Sequence, residues 1–225
     1  MSPLNVVPLM PRVAKAFEYG RLSRSRIANV IKRLLDVVSS FLGLLVLAPV
    51  LIVLAILIKC ETSGPVFYRG LRSGRFGKPF RIFKFRTMVS NADRIGGPSS
   101  AADDPRITRV GAVLRQFKLD ELPQLINVLR GEMSLVGPRP EIVEEVLLYT
   151  PEERHLLDVR PGITDWASIR FRHEGEILRG SSDPHQTYRE KIRPEKIRLG
   201  LEYVRQHSLP VDCKILAQTF KALFD

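Results

Sequence analysis

The sequence predicts a mainly α protein with a small β element: a membrane-associated α+β domain with an N-terminal, proline-broken re-entrant membrane helix. Three features favour this class: a long uncharged apolar run, a short stretch alternating apolar and basic residues, and several segments with helical spacing. The predicted division is a basic extension over residues 1–30, a membrane helix over 31–59 and a membrane-docked domain over 60–225.

Positive charge is concentrated in the first half of the chain. Residues 59–118 hold 13 basic and 4 acidic side chains, whereas residues 119–225 hold 15 basic and 18 acidic ones. Such a field attracts phosphates, in nucleic acid, anionic lipid or nucleotide. Before the apolar run, RLSRSRIANVIKRLLD predicts a basic, partly amphipathic helix, and residues 1–22 are equally consistent with a flexible basic tail.

The apolar run extends from Val37 to Ile58, 22 residues without a charge. As a helix it would be about 33 Å long, enough to cross a hydrocarbon core. The alternative is a buried helix of a soluble core, although such helices rarely lack charged residues for so long.

Pro49 lies in the middle of this run and predicts a kink, because proline removes a helical N–H and crowds the preceding turn. Basic residues flank both ends of the run, and positive flanks prefer the cytoplasmic side. A bent helix that enters and leaves through one face satisfies both flanks, so we expect a re-entrant helix. The flanking basic residues are Arg24, Arg26, Lys32, Arg33, Lys59, Arg69, Arg72 and Arg75.

The stretch PFRIFKF has the two-residue period of a strand, with Phe80, Ile82 and Lys84 predicted on one face. Basic residues interleaved with aromatics suit single-stranded nucleic acid, a nucleotide diphosphate beside a membrane, or a solvated strand face. The pattern leaves these three readings open.

Adjacent carboxylates stand in KLDELPQL, at Asp120 and Glu121. Helical spacing follows them, Pro123 suits a first turn, and Gly131 predicts the end of the helix. The predicted helix starts between Leu119 and Leu122, which puts both acids where its dipole favours negative charge. The local sequence alone favours a helix start, and part of a reaction centre is the alternative.

The C-terminal half predicts helices over EIVEEVLLYTPEERHLLDV, over YREKIRPEKIRLGLEYVRQHS with an interruption at Pro194, and over an amphipathic KILAQTFKALF. Cys60 and Cys213 are too few for a disulfide framework, which favours a reduced compartment. The four histidines lack the paired spacing of metal ligands.

Several separated motifs resemble the bacterial sugar transferase family, the monotopic phosphoglycosyl transferases that act on polyprenol phosphate. They are KRLLD at residues 32–36, FKFRTM at 83–88, the run DPRITRVGAVLRQFKLDELPQLINVLRGEMSLVGPRP, and VRPGITDWASI. The resemblance runs from about Ile31 almost to the C-terminus, in the form without a large multi-spanning extension.

The resemblance implies transfer of a sugar 1-phosphate from a UDP-sugar to undecaprenyl phosphate with release of UMP. This would be the first membrane step of bacterial polysaccharide or glycoconjugate assembly. It further implies a Mg²⁺ cofactor, contact with membrane lipid, no nucleic-acid partner, and a place at the cytoplasmic face of the bacterial inner membrane. Whether the protein forms a homodimer is left open.

The resemblance also implies roles for individual residues. Asp120 matches the nucleophile that forms a covalent phosphosugar intermediate, and Glu121 would help to hold Mg²⁺ with Asp120 or would handle protons. Pro49 is the membrane hinge. Arg115 is the first residue expected to bind phosphate. Four further basic residues are expected either to bind phosphate or to be structural or lipid-facing charges: Arg139, Arg160, Lys84 and Arg86. Two other functions remain to be separated from this one: a membrane-anchored nucleic-acid binder and a non-catalytic scaffold.

Overall fold

The computed structural model describes residues 26–222, which are mostly helical with a few short strands, and this confirms the predicted mainly α composition. Most of the predicted basic extension and Leu223 lie outside the described residues. The helices are α1 (Arg26–Glu61), α2 (Ala92–Ile95), α3 (Arg109–Gln116), α4 (Gln124–Arg130), α5 (Val143–Leu147), α6 (Trp166–Arg170), α7 (Glu174–Ile177), α8 (Pro184–Thr187), α9 (Arg193–Gln206) and α10 (Leu209–Ala222).

Helix α1 contains the whole apolar run and is long and apolar enough to cross a membrane. Only 11% of its most apolar window is buried, whereas the core helix of a soluble protein is mostly buried. The helix continues through Pro49. The structure therefore supports the membrane helix but does not confirm a break at Pro49, and the re-entrant course stays a prediction.

The N-terminal part of α1 is tied to the globular domain by polar contacts. The Lys32 ammonium lies 2.8 Å from the Asp212 carboxylate of α10. The buried Asp36 carboxylate accepts from Ser134 Oγ at 2.8 Å and from the Leu135 backbone N–H at 3.2 Å. Charged groups buried beside an apolar helix need such partners, so these contacts fix the position of the helix on the domain.

The C-terminal part of α1 is tied to the same domain. Ile58 packs in a buried cluster with Phe85 and Leu114. The Glu61 carboxylate accepts from the backbone N–H groups of Arg109 at 2.7 Å and Val110 at 3.1 Å. These are orphan donors of the first turn of α3, so Glu61 joins the end of α1 to the start of α3.

Within residues 26–222, the β structure consists of three two-stranded pairs and one isolated bridge between Met88 and Ile107. Strands β1 and β4 are antiparallel, β2 and β3 are antiparallel, and β5 and β6 are parallel. The strands are β1 (Phe67–Tyr68), β2 (Leu71–Ser73), β3 (Pro79–Arg81), β4 (Lys84–Phe85), β5 (Ser134–Val136) and β6 (Gly162–Thr164).

The single strand predicted over PFRIFKF is divided in the structure. Strand β3 pairs with β2 and strand β4 with β1 in the same antiparallel register, and the ladder is interrupted at Ile82 and Phe83 between them. The Phe83 N–H donates to the buried Asn127 Oδ1 at 2.7 Å instead of to a strand. Both Ile82 and Phe83 are buried, so both faces of this stretch are covered at this point.

The region around the acid pair is helical, but its first turn differs from the prediction. Leu119–Glu121 form a 3₁₀ turn, and α4 begins at Gln124 after Pro123. Proline at this point has no N–H to bond to the preceding turn, which suits a boundary between the two. Gly131 ends α4 with φ +82°, as predicted.

The C-terminal helices surround the β5–β6 pair. Ile215 of α10 is buried with Val136 and Tyr203, whereas Phe220 is exposed. The predicted interruption at Pro194 takes the form of a π-helical turn at Tyr188–Ile192 that leads into α9. Pro194 cannot donate to the carbonyl four residues earlier, which explains the change in helical register.

Candidate active site

The acid pair lies at the edge of a cleft of about 1060 Å³. Asp120 is 1% exposed and Glu121 is 9% exposed, although both are ionisable. Lys118, two residues before Asp120, adopts the left-handed conformation with φ +56° and turns the chain out of α3 into the 3₁₀ turn. The local sequence therefore buries two adjacent carboxylates, which requires cationic partners.

Lys84 and Arg139 supply these partners from two separate elements. Lys84 Nζ lies 2.8 Å from Asp120 Oδ2 and 3.3 Å from Glu121 Oε1. Arg139 Nη1 donates to Glu121 Oε2 at 3.0 Å, and its Nη2 donates to Oε1. Arg139 thus binds Glu121 through both terminal guanidinium nitrogens, a strong and directional bidentate arrangement.

The electrostatics keep Glu121 ionised. Burial acts to raise the pKa of Glu121, but the charges of Arg139 and Lys84 outweigh burial and hold that pKa well below its ordinary value. Glu121 in turn raises the pKa of Arg139 above its ordinary value. Both oxygens of Glu121 are engaged, so this residue is a fixed anion that holds two cations at the cleft.

Asp120 differs from its neighbour, because one of its oxygens has no partner. Oδ2 contacts Lys84, whereas Oδ1 is buried and accepts no hydrogen bond from any described residue. A buried carboxylate oxygen without a donor is costly and uncommon, and such atoms mark functional sites. Oδ1 is the atom of the pair that can take a new bond.

Arg115 faces the same cleft from the last turn of α3. Its Nη2 donates to Ser100 Oγ at 2.7 Å, and burial lowers the pKa of this guanidinium, with Asp120 acting in the opposite direction. Lys118 and Ser100 also line the cleft. Both were missed by sequence reasoning. The position of Lys118, a basic residue close to the acid pair in the sequence, was a usable signal. Ser100 lies in a loop whose sequence carries no such signal.

Arg86 and Arg160 have other surroundings. The buried Arg86 donates to the carbonyls of Thr62 at 2.8 Å and Ser63 at 2.6 Å, where α1 ends. Arg160 Nε donates to the Gly131 carbonyl at 3.0 Å, at the far end of α4. Arg86 borders the cleft, but Arg160 lies outside the part of the described chain that lines it. Phosphate binding by these two arginines stays a prediction.

The acid pair also bears on the predicted metal. The described residues contain no group of three or more histidine, cysteine or acidic side chains that could hold an ion. Mg²⁺, however, is commonly held by one or two carboxylates together with water and substrate phosphates. The unpartnered Oδ1 of Asp120, beside Glu121, fits that mode in which the substrate completes the coordination.

Comparison with known proteins identifies the family. The profile described as bacterial sugar transferase matches residues 27–225. The chain belongs to the bacterial sugar transferase family. The matched region contains α1 and every residue of the cleft, so the family assignment covers the membrane helix and the acid pair together.

Curated relatives of this sugar transferase carry related names. A UDP-glucose:undecaprenyl-phosphate glucose-1-phosphate transferase of Caulobacter vibrioides is 40% identical over 195 residues, 85% of this chain and 69% of the relative. The protein of the same name from Escherichia coli is 36% identical, over 97% of this chain but 44% of its own length. The exopolysaccharide production protein ExoY of Sinorhizobium fredii is 36% identical, over 88% of this chain and 87% of its own. The chain thus spans less than half of the Escherichia coli relative.

Proposed function

We propose that this protein transfers a sugar 1-phosphate from a UDP-sugar to undecaprenyl phosphate and releases UMP. The site would be at the cytoplasmic face of the bacterial inner membrane, as the first membrane step of polysaccharide or glycoconjugate assembly. The observation that carries the proposal is the buried Asp120, with Oδ1 unpartnered, in a cation-lined cleft of a domain bearing an exposed apolar helix. The relatives' printed names support the two substrates.

In the first step Asp120 Oδ1 attacks the phosphorus that carries the sugar. An Asp120 O–P bond forms, the P–O bond to the uridine-bearing phosphate breaks, and UMP leaves with the electron pair. In the second step an oxygen of undecaprenyl phosphate attacks the same phosphorus, and the Asp120 carboxylate is released. Dividing the displacement in this way is what covalent catalysis offers.

The cations answer the main obstacle to this chemistry, which is repulsion between a carboxylate and an anionic diphosphate. Arg115 and Arg139 face the cleft and would bind the phosphates. Lys84 holds Asp120 Oδ2 and leaves Oδ1 without a partner, so that Oδ1 would be the atom that attacks the substrate. Glu121 anchors Arg139 and Lys84, which makes it a positioning residue for the phosphate-binding cations.

Asp120 and Glu121 are the residues that would hold Mg²⁺, and the bound ion would neutralise diphosphate charge. Glu121 already contacts Arg139 and Lys84, so any carboxylate oxygen given to the ion must be released by one of them. Lys84 and Arg139 therefore hold the acids in place until the donor binds.

The attachment of α1 supports a re-entrant course. Asp36 and Glu61 are 25 residues apart, a rise of about 37 Å in a straight helix, and both contact the same domain. A crossing helix would separate contacts this far apart by roughly the 30 Å hydrocarbon core. A domain on one side of the membrane reaches both ends most simply when both ends lie on that side.

Cysteine labelling tests this topology. Cys60 is exposed at the end of α1, and an Ile31→Cys substitution in a Cys60→Ser, Cys213→Ser background would report on the other end. We expect an impermeant maleimide to label both sites in inside-out vesicles and neither in intact spheroplasts. Labelling of the two sites from opposite sides would show a crossing helix instead.

UMP release tests the reaction. Purified protein would be assayed with undecaprenyl phosphate, Mg²⁺ and a panel of UDP-sugars, with Asp120→Asn beside the wild type. We expect release with at least one donor, and its loss in Asp120→Asn and after chelation. Undiminished release in Asp120→Asn would remove Asp120 as the nucleophile. Failure with every donor, together with binding of single-stranded nucleic acid that weakens steeply with salt, would favour the nucleic-acid alternative.

A further inference from the structure

A second group of polar side chains lies in the same cleft and has no part in the chemistry above. We call it the polar cluster; it consists of Ser99, Glu141, Glu145, His185 and Tyr188. They come from three segments of the chain that are far apart in the sequence, at residues 99, 141–145 and 185–188. Glu145 and Tyr188 are buried, and the other three are partly exposed to the cleft.

The members of the polar cluster hold one another in fixed positions. The Tyr188 hydroxyl donates to Glu141 Oε1 at 2.7 Å. Ser99 Oγ lies 3.0 Å from His185 Nδ1, and His185 Nε2 lies 3.4 Å from Glu145 Oε1. The His185 ring lies parallel to the Tyr188 ring, with centroids 6.3 Å apart. Hydroxyl, imidazole and carboxylate groups thus line the cleft in a connected network.

Two short links join the polar cluster to the acid pair. Arg139 binds Glu121, and Glu141, two residues further on and so within about 7 Å by Cα position, binds Tyr188. On the other wall, Arg115 donates to Ser100, whose neighbour Ser99 contacts His185. On each wall of the cleft, therefore, an arginine that would bind the phosphates lies next to a segment that contains a member of the polar cluster.

We propose that the polar cluster binds the hydroxyl groups of the donor's sugar and so determines which UDP-sugar is used. This inference rests on the proposed function. Asp120 attacks the phosphate that bears the sugar, so the sugar must lie one ester bond from that phosphate. The cluster adjoins Arg115 and Arg139, where that phosphate would be held, whereas the nucleoside is one phosphate further away.

The chemistry of the polar cluster favours a sugar over the uracil ring. Sugar hydroxyls both donate and accept, and carboxylates, imidazole and phenol hydroxyl satisfy both needs. Nucleobases are commonly held by stacking on an aromatic face. The Tyr188 ring is already contacted by His185 and by Lys196, whose Nζ lies 4.9 Å from the ring centroid. Because its ring is already contacted, Tyr188 would contribute its hydroxyl group to sugar binding.

The backbone at Tyr188 supports a functional role. Tyr188 begins the π-helical turn, an irregularity that is rare and is found frequently at functional sites. Tyr188 lines the cleft and also packs in one buried cluster with Leu178 and with Ile192 at the other end of the turn. A regular helix over the same residues would rotate Tyr188 relative to that buried anchor.

Two conservative variants test the proposal: Tyr188→Phe, which removes one hydroxyl and keeps the ring, and Glu141→Gln, which keeps the shape of the side chain. Tyr149→Phe is the matched control, because Tyr149 is buried but lies outside the residues that line the cleft. Each would be made in the Asp120→Asn chain, so that donor binding is measured without turnover. The probes are UDP-glucose, UDP-galactose, UDP-N-acetylglucosamine and UDP.

We expect Tyr188→Phe and Glu141→Gln to weaken binding of the preferred UDP-sugar by about tenfold, which corresponds to one good hydrogen bond. UDP, which lacks the sugar on the second phosphate, should bind them as it binds the control. Equal weakening for UDP and UDP-sugar would overturn the proposal in favour of a nucleoside site. Unchanged binding of every probe would overturn it in favour of a purely structural cluster.

Turnover in the chain that retains Asp120 separates this inference from the proposed function. If the protein releases UMP from a UDP-sugar but Tyr188→Phe keeps the donor preference of the wild type, only the sugar site is wrong. If the protein neither binds nor consumes any UDP-sugar, the proposed function fails and the sugar site fails with it. A changed order of preference among the UDP-sugars in Tyr188→Phe, with UDP binding unchanged, would support both the proposed function and the sugar site.

Discussion

Two sets of basic residues in this protein contact different kinds of acceptor. Lys84, Arg115 and Arg139, the cleft cations, contact carboxylate or hydroxyl groups of side chains at the edge of the cleft. The scaffold arginines contact backbone carbonyls where helices end, and these are Arg33, Arg86 and Arg160. Arg86 donates in addition to the hydroxyls of Thr62 and Ser90.

The difference follows from what each acceptor offers. Carbonyls at a helix C-terminus are orphan acceptors at the negative end of the dipole, so an arginine there stabilises the fold and is occupied. Carboxylates beside an open cleft can exchange a cation for a substrate phosphate or a metal. The same residue type is therefore structural at one end of α4 and available for chemistry at the other.

Substituting one arginine from each set tests this division into cleft and scaffold residues. We expect Arg139→Gln to lower kcat/KM for the donor by about 10²–10³-fold, the typical cost of removing one preorganised cation or donor. Arg160→Gln should retain activity within about threefold, per folded molecule, since it loses a contact to Gly131. Equal losses in the two variants, normalised to folded protein by circular dichroism, would contradict the division.

Arg86→Lys should instead lower the stability of the protein and leave its donor kinetics unchanged. Arg86 bonds Thr62, Ser63 and Ser90 through a planar fork of donors that a lysine ammonium cannot reproduce. We expect the free energy of unfolding to fall by about 2 kcal/mol, with the donor KM of the folded protein unchanged. Denaturant unfolding in detergent and steady-state kinetics check this. A raised KM without loss of stability would place Arg86 among the cleft cations.

The sequence predicted the parts of the site that depend on neighbouring residues. Helix α1, the end of α4 at Gly131 and the adjacency of Asp120 and Glu121 are local properties, and the structure contains all three. Which arginine reaches the acids is not a local property. Arg139 and Arg160 occupy similar proline-flanked motifs, and only the path of the folded chain separates them.

The prediction of one unbroken strand over PFRIFKF was wrong for a related reason. Its period is correct for a strand, but Asn127, 44 residues later, accepts the Phe83 N–H and divides the strand. The polar cluster could not be predicted either, because Ser99, Glu141 and Tyr188 lie far apart in the sequence. Tertiary contacts decided both cases, and a local pattern carries no information about them.

The pH dependence of stability should separate the acids of the cleft from ordinary surface acids. Arg139 and Lys84 depress the pKa of Glu121 below its ordinary value of 4.5. The unfolded chain then binds more protons than the folded one, so this stabilisation is full above pH 4.5 and is lost as the pH falls towards the folded-state pKa. Urea unfolding at pH 6 and pH 3 should show a smaller acid-induced loss in Glu121→Gln than in the wild type. Identical losses would mean that the pair does not stabilise the fold.

The smallest effect is expected at the scaffold end of α4. Gly131 has φ +82°, a left-handed conformation that alanine adopts with strain. Gly131→Ala should cost about 1 kcal/mol of unfolding free energy and leave UMP release per folded molecule unchanged. A large loss of activity would mean that strain at this end reaches the acid pair through the helix, and the two ends of α4 would not be independent.

The most direct test of the account is capture of the covalent intermediate. The protein would be incubated with Mg²⁺ and its UDP-sugar without undecaprenyl phosphate, and intact-mass and peptide mass spectrometry would follow. The account predicts a sugar phosphate attached to the peptide at Asp120, one UMP released per site, no adduct in Asp120→Asn, and loss of the adduct when undecaprenyl phosphate is added. UMP release that requires undecaprenyl phosphate and leaves Asp120 unmodified would contradict it, because a single direct displacement would then explain the reaction.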